Sequence, residues 1–359
     1  MGYNQGGVKL NDIERWSSNI CEMNNTGFSR LQTVIDDIKN HDSIVLYRDV
    51  GGIGDGVMIT GSITGLRRAF GDSIKIVVAT IPYIAPVFFN NPDIDWIVDS
   101  SQFDRIHADG AVDFGSGKEI CKIIFEKYGA VFYGLSHPCP SAQYESINEP
   151  LPKRDTHIVK SRQQLFSEAC GVGFEKGDCR LYLSDVERDS FHPPFKDYIV
   201  FHIKSNSKSR NLPNNHVDYM IKLLSKHFNI VLLSHEYKYK HTEIKNIIKL
   251  DRKPLTEIMQ TIAFSNMVIG VDSMGLHIGG GFGIPLYGIF GTVDPRMRLE
   301  AYHNSFWYNG YNRCKRKPCW YHPCIFGFCM KSINVGNLVD DIVWKYNTAT
   351  KLEGLLNAI

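Results

Sequence analysis

Short apolar, β-branched runs alternate with helix-spaced segments along this chain, and the alternation stops and restarts once. Residues 43–47 (SIVLY) carry a strand signal, a glycine-dense turn follows at 51–56, residues 57–70 return to helical spacing, and 74–79 read as a second strand. Strand, turn, helix, strand is a βαβ unit, which requires parallel pairing and a right-handed crossover. Further strand signals lie at 96–98 and 130–133, and a charged, proline-containing stretch at 185–196 interrupts the pattern. It resumes with strands at 198–202, 230–234, 247–250, 267–271 and 285–290, helices at 216–227 and 255–265, and a glycine-dense segment at 275–283 that opens a helix. Two such halves without sequence repeat predict an α/β fold of two Rossmann-like, doubly wound domains facing a cleft. The expected division is a helical extension at 1–42, an N-terminal domain at 43–190, a C-terminal domain at 191–335 and a helical tail at 336–359.

Composition narrows the function classes. The 359 residues are 43% hydrophobic and 22% charged, ordinary globular values, with a formal charge of only +2. That balance gives no broad electrostatic footprint for nucleic acid. No apolar run approaches the roughly 20 residues that span a bilayer, and the polar, glycine-rich residues 1–11 do not read as a secretory signal. A cytoplasmic protein without a transmembrane segment is expected.

The turn Gly51-Gly52-Ile53-Gly54-Asp55-Gly56 fails two familiar tests. A dinucleotide fingerprint needs its third glycine one place later and an acid at the end of the second strand; a P-loop needs Lys and Ser/Thr where Val57 and Met58 stand. What remains is Asp55, presented among Gly52, Gly54 and Gly56 at the carboxyl end of a strand, where open α/β sheets bind ligands. Its carboxylate either caps the helix or serves as a general base.

The second glycine segment, Val268-Ile269-Gly270-Val271-Asp272-Ser273-Met274-Gly275-Leu276-His277, ends an apolar strand in Asp-Ser and continues in small residues. Amides at such a helix start favour phosphate oxygens, and the Ser273 hydroxyl adds a donor. His202 ends the first strand of this half, and Lys208-Ser209-Arg210-Asn211-Leu212-Pro213 precedes the next helix. Lys208 and Arg210 are the basic residues of this segment. Glu236, just after the strand at 230–234, is a candidate acceptor for ribose hydroxyls.

These two segments together resemble glycosyltransferase family nine, the heptosyltransferase-like enzymes of GT-B architecture, over roughly residues 43–340. The likeness rests on Gly52-Ile53-Gly54-Asp55 with Leu66-Arg67-Arg68-Ala69-Phe70 closing the helix, on Asp272, Ser273, Gly275, Leu276 and His277, and more loosely on Gly291-Thr292-Val293-Asp294-Pro295. It implies a nucleotide-sugar donor held by the C-terminal half at Lys208, Arg210, Glu236, Asp272, Ser273, Gly275, Leu276 and His277. It further implies a hydroxyl acceptor on the N-terminal half, Asp55 as catalytic base, inversion at the sugar carbon and no catalytic cofactor. Asp93-Ile94-Asp95 matches a stretch of the family leading into a strand, so this D-x-D is read as structural and not as a metal site. The acceptor is left open among glycans, lipid-linked glycans and nucleic acid; a transferase acting on nucleic-acid bases and a non-catalytic nucleotide-sugar binding protein are the alternatives.

Cys314, Cys319, Cys324 and Cys329 recur every five residues. Four thiolates suffice for a tetrahedral structural zinc site, though the spacing is not a repeated C-x2-C pair. Reduced thiols and disulfides stay open beside zinc. The family resemblance places a cysteine-bearing loop here, with Cys329-Met330-Lys331-Ser332-Ile333 matching its end.

Overall fold

The computed structural model describes residues 27–108, 117–135, 160–234, 237–238, 243–310 and 327–356. Two parallel sheets organise the chain. The first contains β1 (Ser43–Arg48), β2 (Lys75–Thr80), β3 (Trp96–Asp99) and β4 (Val131–Gly134) in the order β3-β2-β1-β4. The second contains β5 (Ile199–His202), β6 (Ile230–Leu233), β7 (Ile247–Leu250), β8 (Met267–Val271), β9 (Leu286–Phe290) and β10 (Ser305–Asn309) in the order β10-β9-β8-β5-β6-β7. Every pairing is parallel, which accounts for the unbroken apolar runs: β1 and β8 are buried along their whole length.

Strand order fixes where ligands can enter. In the first sheet the order reverses between β1 and β4, and in the second between β5 and β8. Connections leave in opposite directions at such points, opening a crevice outside the carboxyl ends of the strands. Arg48 and the turn to Asp55 lie at the first switch point, and His202 and the Asp272–Ser273 turn lie at the second.

Helices cover both sheets. α1 (Leu31–Ile38) turns Leu31, Val34, Ile35 and Ile38 inward, where they share a core with Val45, Tyr47 and Val77. Of the expected N-terminal extension, the part at 27–42 packs on the first sheet, while residues 1–26 lie outside the described residues. α2 (Ile53–Phe70) begins four residues earlier than the periodicity suggests, so Gly54, Asp55 and Gly56 are helical residues and not a preceding turn. Arg67 near its end donates to the Gly71 and Ile74 carbonyls and pairs with Asp95 at 2.7 Å. Asp95 also accepts from Lys75 and the Ile76 amide. The D-x-D aspartate is therefore consumed in holding α2 to the strands, as a structural role requires.

α3 (Ser101–Ala108) and α4 (Gly117–Lys127) pack together beneath the first sheet. α5 (Arg162–Ala169) lies along α2, and α6 (Asp185–Asp189), capped by Ser184 and Glu187, occupies the charged stretch between the sheets. α7 (Asn214–Leu224), α8 (Leu255–Ala263), α9 (Met274–Gly281), α10 (Arg296–Leu299), α11 (Phe328–Lys331) and α12 (Val335–Leu356) complete the second half. The strand β10, absent from the sequence reading, extends the second sheet beyond β9. No helix among the described residues is long and apolar enough to cross a membrane.

The two halves meet through glycine. An added Cβ at Gly54 of α2 would lie 2.7 Å from the His277 ring of α9, and one at Gly281 would lie 2.7 Å from Leu181 and 3.3 Å from Val57. One hydrophobic cluster consequently runs through both halves, joining Val57, Ile63 and Phe88 to Leu276, Ile278 and Tyr302. On the other side of α2, a Cβ at Gly65 would meet the Gly173 carbonyl at 2.8 Å, a backbone atom that cannot swing aside. Gly65→Ala should therefore destabilise the protein despite the ~1 kcal/mol that Ala gains over Gly inside a helix, since overpacking costs about 1–3 kcal/mol. Urea unfolding should show a lower midpoint at unchanged slope.

Candidate functional site

On the N-terminal side the site is built around Asp55. Gly51 makes the turn with φ +103°, a left-handed conformation open to glycine, and an added Cβ there would collide with the Arg48 guanidinium and the Asp55 carboxylate. The turn therefore lets Arg48, at the end of β1, reach Asp55 in the first turn of α2. Their separation is 3.0 Å, and Arg162 at the start of α5 reaches the other carboxylate oxygen at 3.3 Å. The Gly52 amide donates to the same carboxylate at 3.3 Å, so Asp55 does cap its helix while also meeting two arginines. Arg48 further donates to the Leu135 carbonyl just beyond β4. Both guanidinium groups lie on the Phe166 ring, 5.6 and 5.7 Å from its centroid. Such stacking satisfies the flat faces of buried arginines that hydrogen bonds leave bare.

Burial alone would raise the Asp55 carboxyl, but Arg162, Arg48 and Arg298, with the Gly52 amide, outweigh it and hold the group below the usual carboxylate range. It is ionised at any physiological pH. Tyr83, half-exposed beside this turn, donates its hydroxyl to the Gly51 carbonyl.

On the C-terminal side Asp272 is buried where β8 ends, with Arg298 from α10 at 3.5 Å on one carboxylate oxygen and Arg210 at 3.5 Å on the other. Arg210 also donates to the Asp272 carbonyl. A buried carboxylate between two guanidinium groups fixes the backbone that follows it. Ser273 and the Gly275 amide both contact His202 Nδ1, at 3.0 and 3.2 Å. Arg298 is itself buried; the Gln163 side chain donates to its carbonyl, and its charge acts on both Asp55 and His277.

His277 lies between the two sides. Its Nδ1 is 3.1 Å from the Tyr302 hydroxyl and its ring packs on Gly54. Burial is the main force that lowers its pKa to about 4, opposed by Asp272 and Asp55 and reinforced by Arg298 and Arg162. It is neutral at physiological pH.

The structure thus brings Asp55, Gly54, Arg210, Asp272, Ser273, Gly275 and His277 to the meeting of the two switch points. Leu276 instead points into the shared core, and Gly56 packs against Ile84 and Val87. Gly52 is exposed with open space around its α-carbon. Lys208 shares a single turn with Arg210, but Arg210 is the one that reaches Asp272. Glu236, Cys314, Cys319 and Cys324 lie outside the described residues; Cys329 is buried on α11, where its sulfur faces Gly291. Among the described residues no group of three or more His, Cys, Asp or Glu could hold a metal ion. Sequence reading missed Arg48, Arg162, Arg298 and Tyr302. Arg48 carried a signal, a lone charge closing an otherwise apolar strand. Arg162 and Arg298 did not, because ordinary surface helices carry arginines at the same positions.

The titration of His277 gives a signed expectation. Its folded pKa lies below the 6.5 of an ordinary histidine, so between about 4 and 6.5 the unfolded chain binds the extra proton and stability rises with pH. A histidine NMR titration should find His277 neutral down to about pH 4, and His277→Gln should reduce the slope of stability against pH within that window.

Comparison with known proteins follows the same lines. A family model described as glycosyltransferase family 9 (heptosyltransferase) matches residues 141–328. Among solved structures, the glycosyl transferase family 9 protein from Veillonella parvula DSM 2008 aligns with a TM-score of 0.60 at 14% identity, covering 86% of this chain and 97% of that one. The E. coli ADP-heptose LPS heptosyltransferase II aligns at 0.59 and 13% identity, covering 86% and 99%. TibC, an iron-containing dodecameric glycosyltransferase from enterotoxigenic E. coli H10407, aligns at 0.57 and 13%, covering 86% and 77%. No curated protein matches the sequence. At these identities the structural likeness establishes the two-domain GT-B fold.

Proposed function

The chain belongs to glycosyltransferase family 9, and from that membership we propose that it moves a sugar from a nucleoside-diphosphate donor to an acceptor hydroxyl by a single inverting displacement. The observation that carries this reading is the facing pair of switch points, with an ionised carboxylate at one and the Arg210–Asp272–Ser273 turn at the other. ADP-heptose is the first donor to test, because it is named for a heptosyltransferase of the same fold. Membership in a transferase family sets aside the non-catalytic binding protein.

In this mechanism the C-terminal half holds the donor and the N-terminal half the acceptor. The acceptor oxygen forms a bond to the anomeric carbon as the bond to the diphosphate breaks. The hydroxyl proton passes to Asp55, and the pair of electrons leaves with the nucleoside diphosphate. Asp55 is a weak base, since Arg48 and Arg162 favour its ionised form. Its low proton affinity suits a transfer that follows carbon–oxygen bond formation, when the attacking oxygen has become acidic. Arg210 sits at the donor turn, where negative charge grows on the leaving group.

Supplying the protein with ADP-heptose and a panel of glycan, lipid-linked glycan and nucleic-acid acceptors should release ADP rapidly with one acceptor class, and NMR of the product should show the anomeric configuration inverted. Asp55→Asn should still bind ADP while turnover falls by about a hundredfold or more, the usual weight of a general base. Near-normal turnover in that variant would remove Asp55 as the base.

For Cys314, Cys319, Cys324 and Cys329 we propose, separately, a structural zinc site of four thiolates. Elemental analysis should find about one zinc per chain; iron is measured in parallel because TibC contains it. Metal-free protein in which all four thiols titrate would overturn the assignment.

A further inference from the structure

The imidazole at the end of β5 has a task that neither the resemblance nor the family membership assigns. His202 is buried, and its Nδ1 accepts the Gly275 amide at 3.2 Å with the Ser273 hydroxyl oxygen at 3.0 Å. An amide can only donate, so Nδ1 is bare and the ring proton sits on Nε2. The single hydroxyl proton of Ser273 is shared between two acceptors, His202 Nδ1 and the Val271 carbonyl at 3.0 Å.

The neighbouring glycines are shaped around this ring. A Cβ at Gly275 would stand 2.7 Å from Nδ1 and 3.1 Å from the His202 Cβ, and one at Gly270, its partner in the β5–β8 register, would stand 3.0 Å from the His202 carbonyl. Any side chain at Gly275 would expel the imidazole. Gly275 lets His202 approach, and its amide is given to the imidazole. The turn from Val271 to Gly275 is thereby held at both ends, by Arg210 on the Asp272 carbonyl and by His202 on the Gly275 amide.

We infer that His202 is a positioning residue of the donor site: a neutral, Nε2-protonated imidazole that fixes the 271–275 turn in the shape that meets the diphosphate of a nucleoside-diphosphate sugar. The inference rests on the reading that the donor binds at this turn. His202 needs no contact with the donor. It acts through the Gly275 amide and the Ser273 hydroxyl, so what matters is an acceptor at the Nδ1 position.

Titration calorimetry with ADP tests this on the full chain, using wild type, His202→Ala, His202→Asn and Arg210→Ala. The Asn side-chain oxygen falls near the place of Nδ1 and can accept the Gly275 amide. His202→Ala should weaken ADP by about tenfold, the weight of one well-placed hydrogen bond, whereas His202→Asn should stay close to wild type. Ala binding as well as wild type, or Asn binding as poorly as Ala, would overturn the positioning role. A wild type that binds none of ADP, UDP, GDP and CDP would remove the donor-turn reading itself, and if one of the others binds in place of ADP the same variants are compared with it. A wild type that binds, with loss in Arg210→Ala but not in His202→Ala, would remove only the inference about His202. If His202→Ala does not fold, ¹⁵N-histidine NMR of the wild type decides the matter, with the His202 signals identified by their loss in His202→Asn. An unprotonated Nδ1 supports the role, and a protonated Nδ1 refutes it.

Discussion

A charge removed from water has to be met by an opposite charge and by hydrogen bonds, or the fold does not tolerate it. Arg298 and Asp272 are both nearly inaccessible, at 4% and 5% exposure of their side chains, and Arg48 at 3% is in the same position opposite Asp55. These pairs draw on distant parts of the chain. Arg48 comes from the first strand, Arg162 from a helix beyond the N-terminal sheet, and Arg298 from a short helix of the second half, after β9. Each half answers its own carboxylate, with Arg48 and Arg162 on Asp55 and Arg210 and Arg298 on Asp272, and the charge of Arg298 also acts on Asp55 across the seam.

That requirement also orders the chemistry. Asp55 is clamped at both oxygens, so its direction is set before any substrate arrives. Asp272 is clamped likewise but from within the C-terminal half, and its effect passes along the backbone to Ser273 and Gly275. One carboxylate is held at the cleft, while the other shapes a loop. The difference follows from position, since Asp55 opens a helix at the cleft whereas Asp272 closes a buried strand.

Much of this could be read from the chain. The alternation of apolar runs and helical spacing predicted two parallel α/β halves, because strands buried on both faces leave an unmistakable pattern. Both glycine segments and the strand-end aspartates were legible for the same reason: a switch point needs small residues followed by a helix start. The start of α2 was displaced by four residues since glycines resemble a turn, whereas in the fold Gly54 packs on α9, Gly56 packs on Ile84 and Val87, and Asp55 caps the helix. β10 was missed because Ser305 and Asn309 flank three aromatic residues in a five-residue run too short to declare itself. Arg162 and Arg298 were invisible because nothing local distinguishes an arginine that pairs with a carboxylate far along the chain from one that faces water.

The seam between the halves is closed by missing side chains, with Gly54 beneath His277 and Gly281 beneath Leu181. Surfaces that fit by subtraction have no slack, and each is a mould of its counterpart. For evolution and for engineering this makes the two halves poor modules. A donor domain borrowed from a relative would bring its own residue to the place of Gly281, and Leu181 and Val57 would have to change with it. New specificity is more easily acquired through the loops at the rim of the cleft than by recombining whole domains.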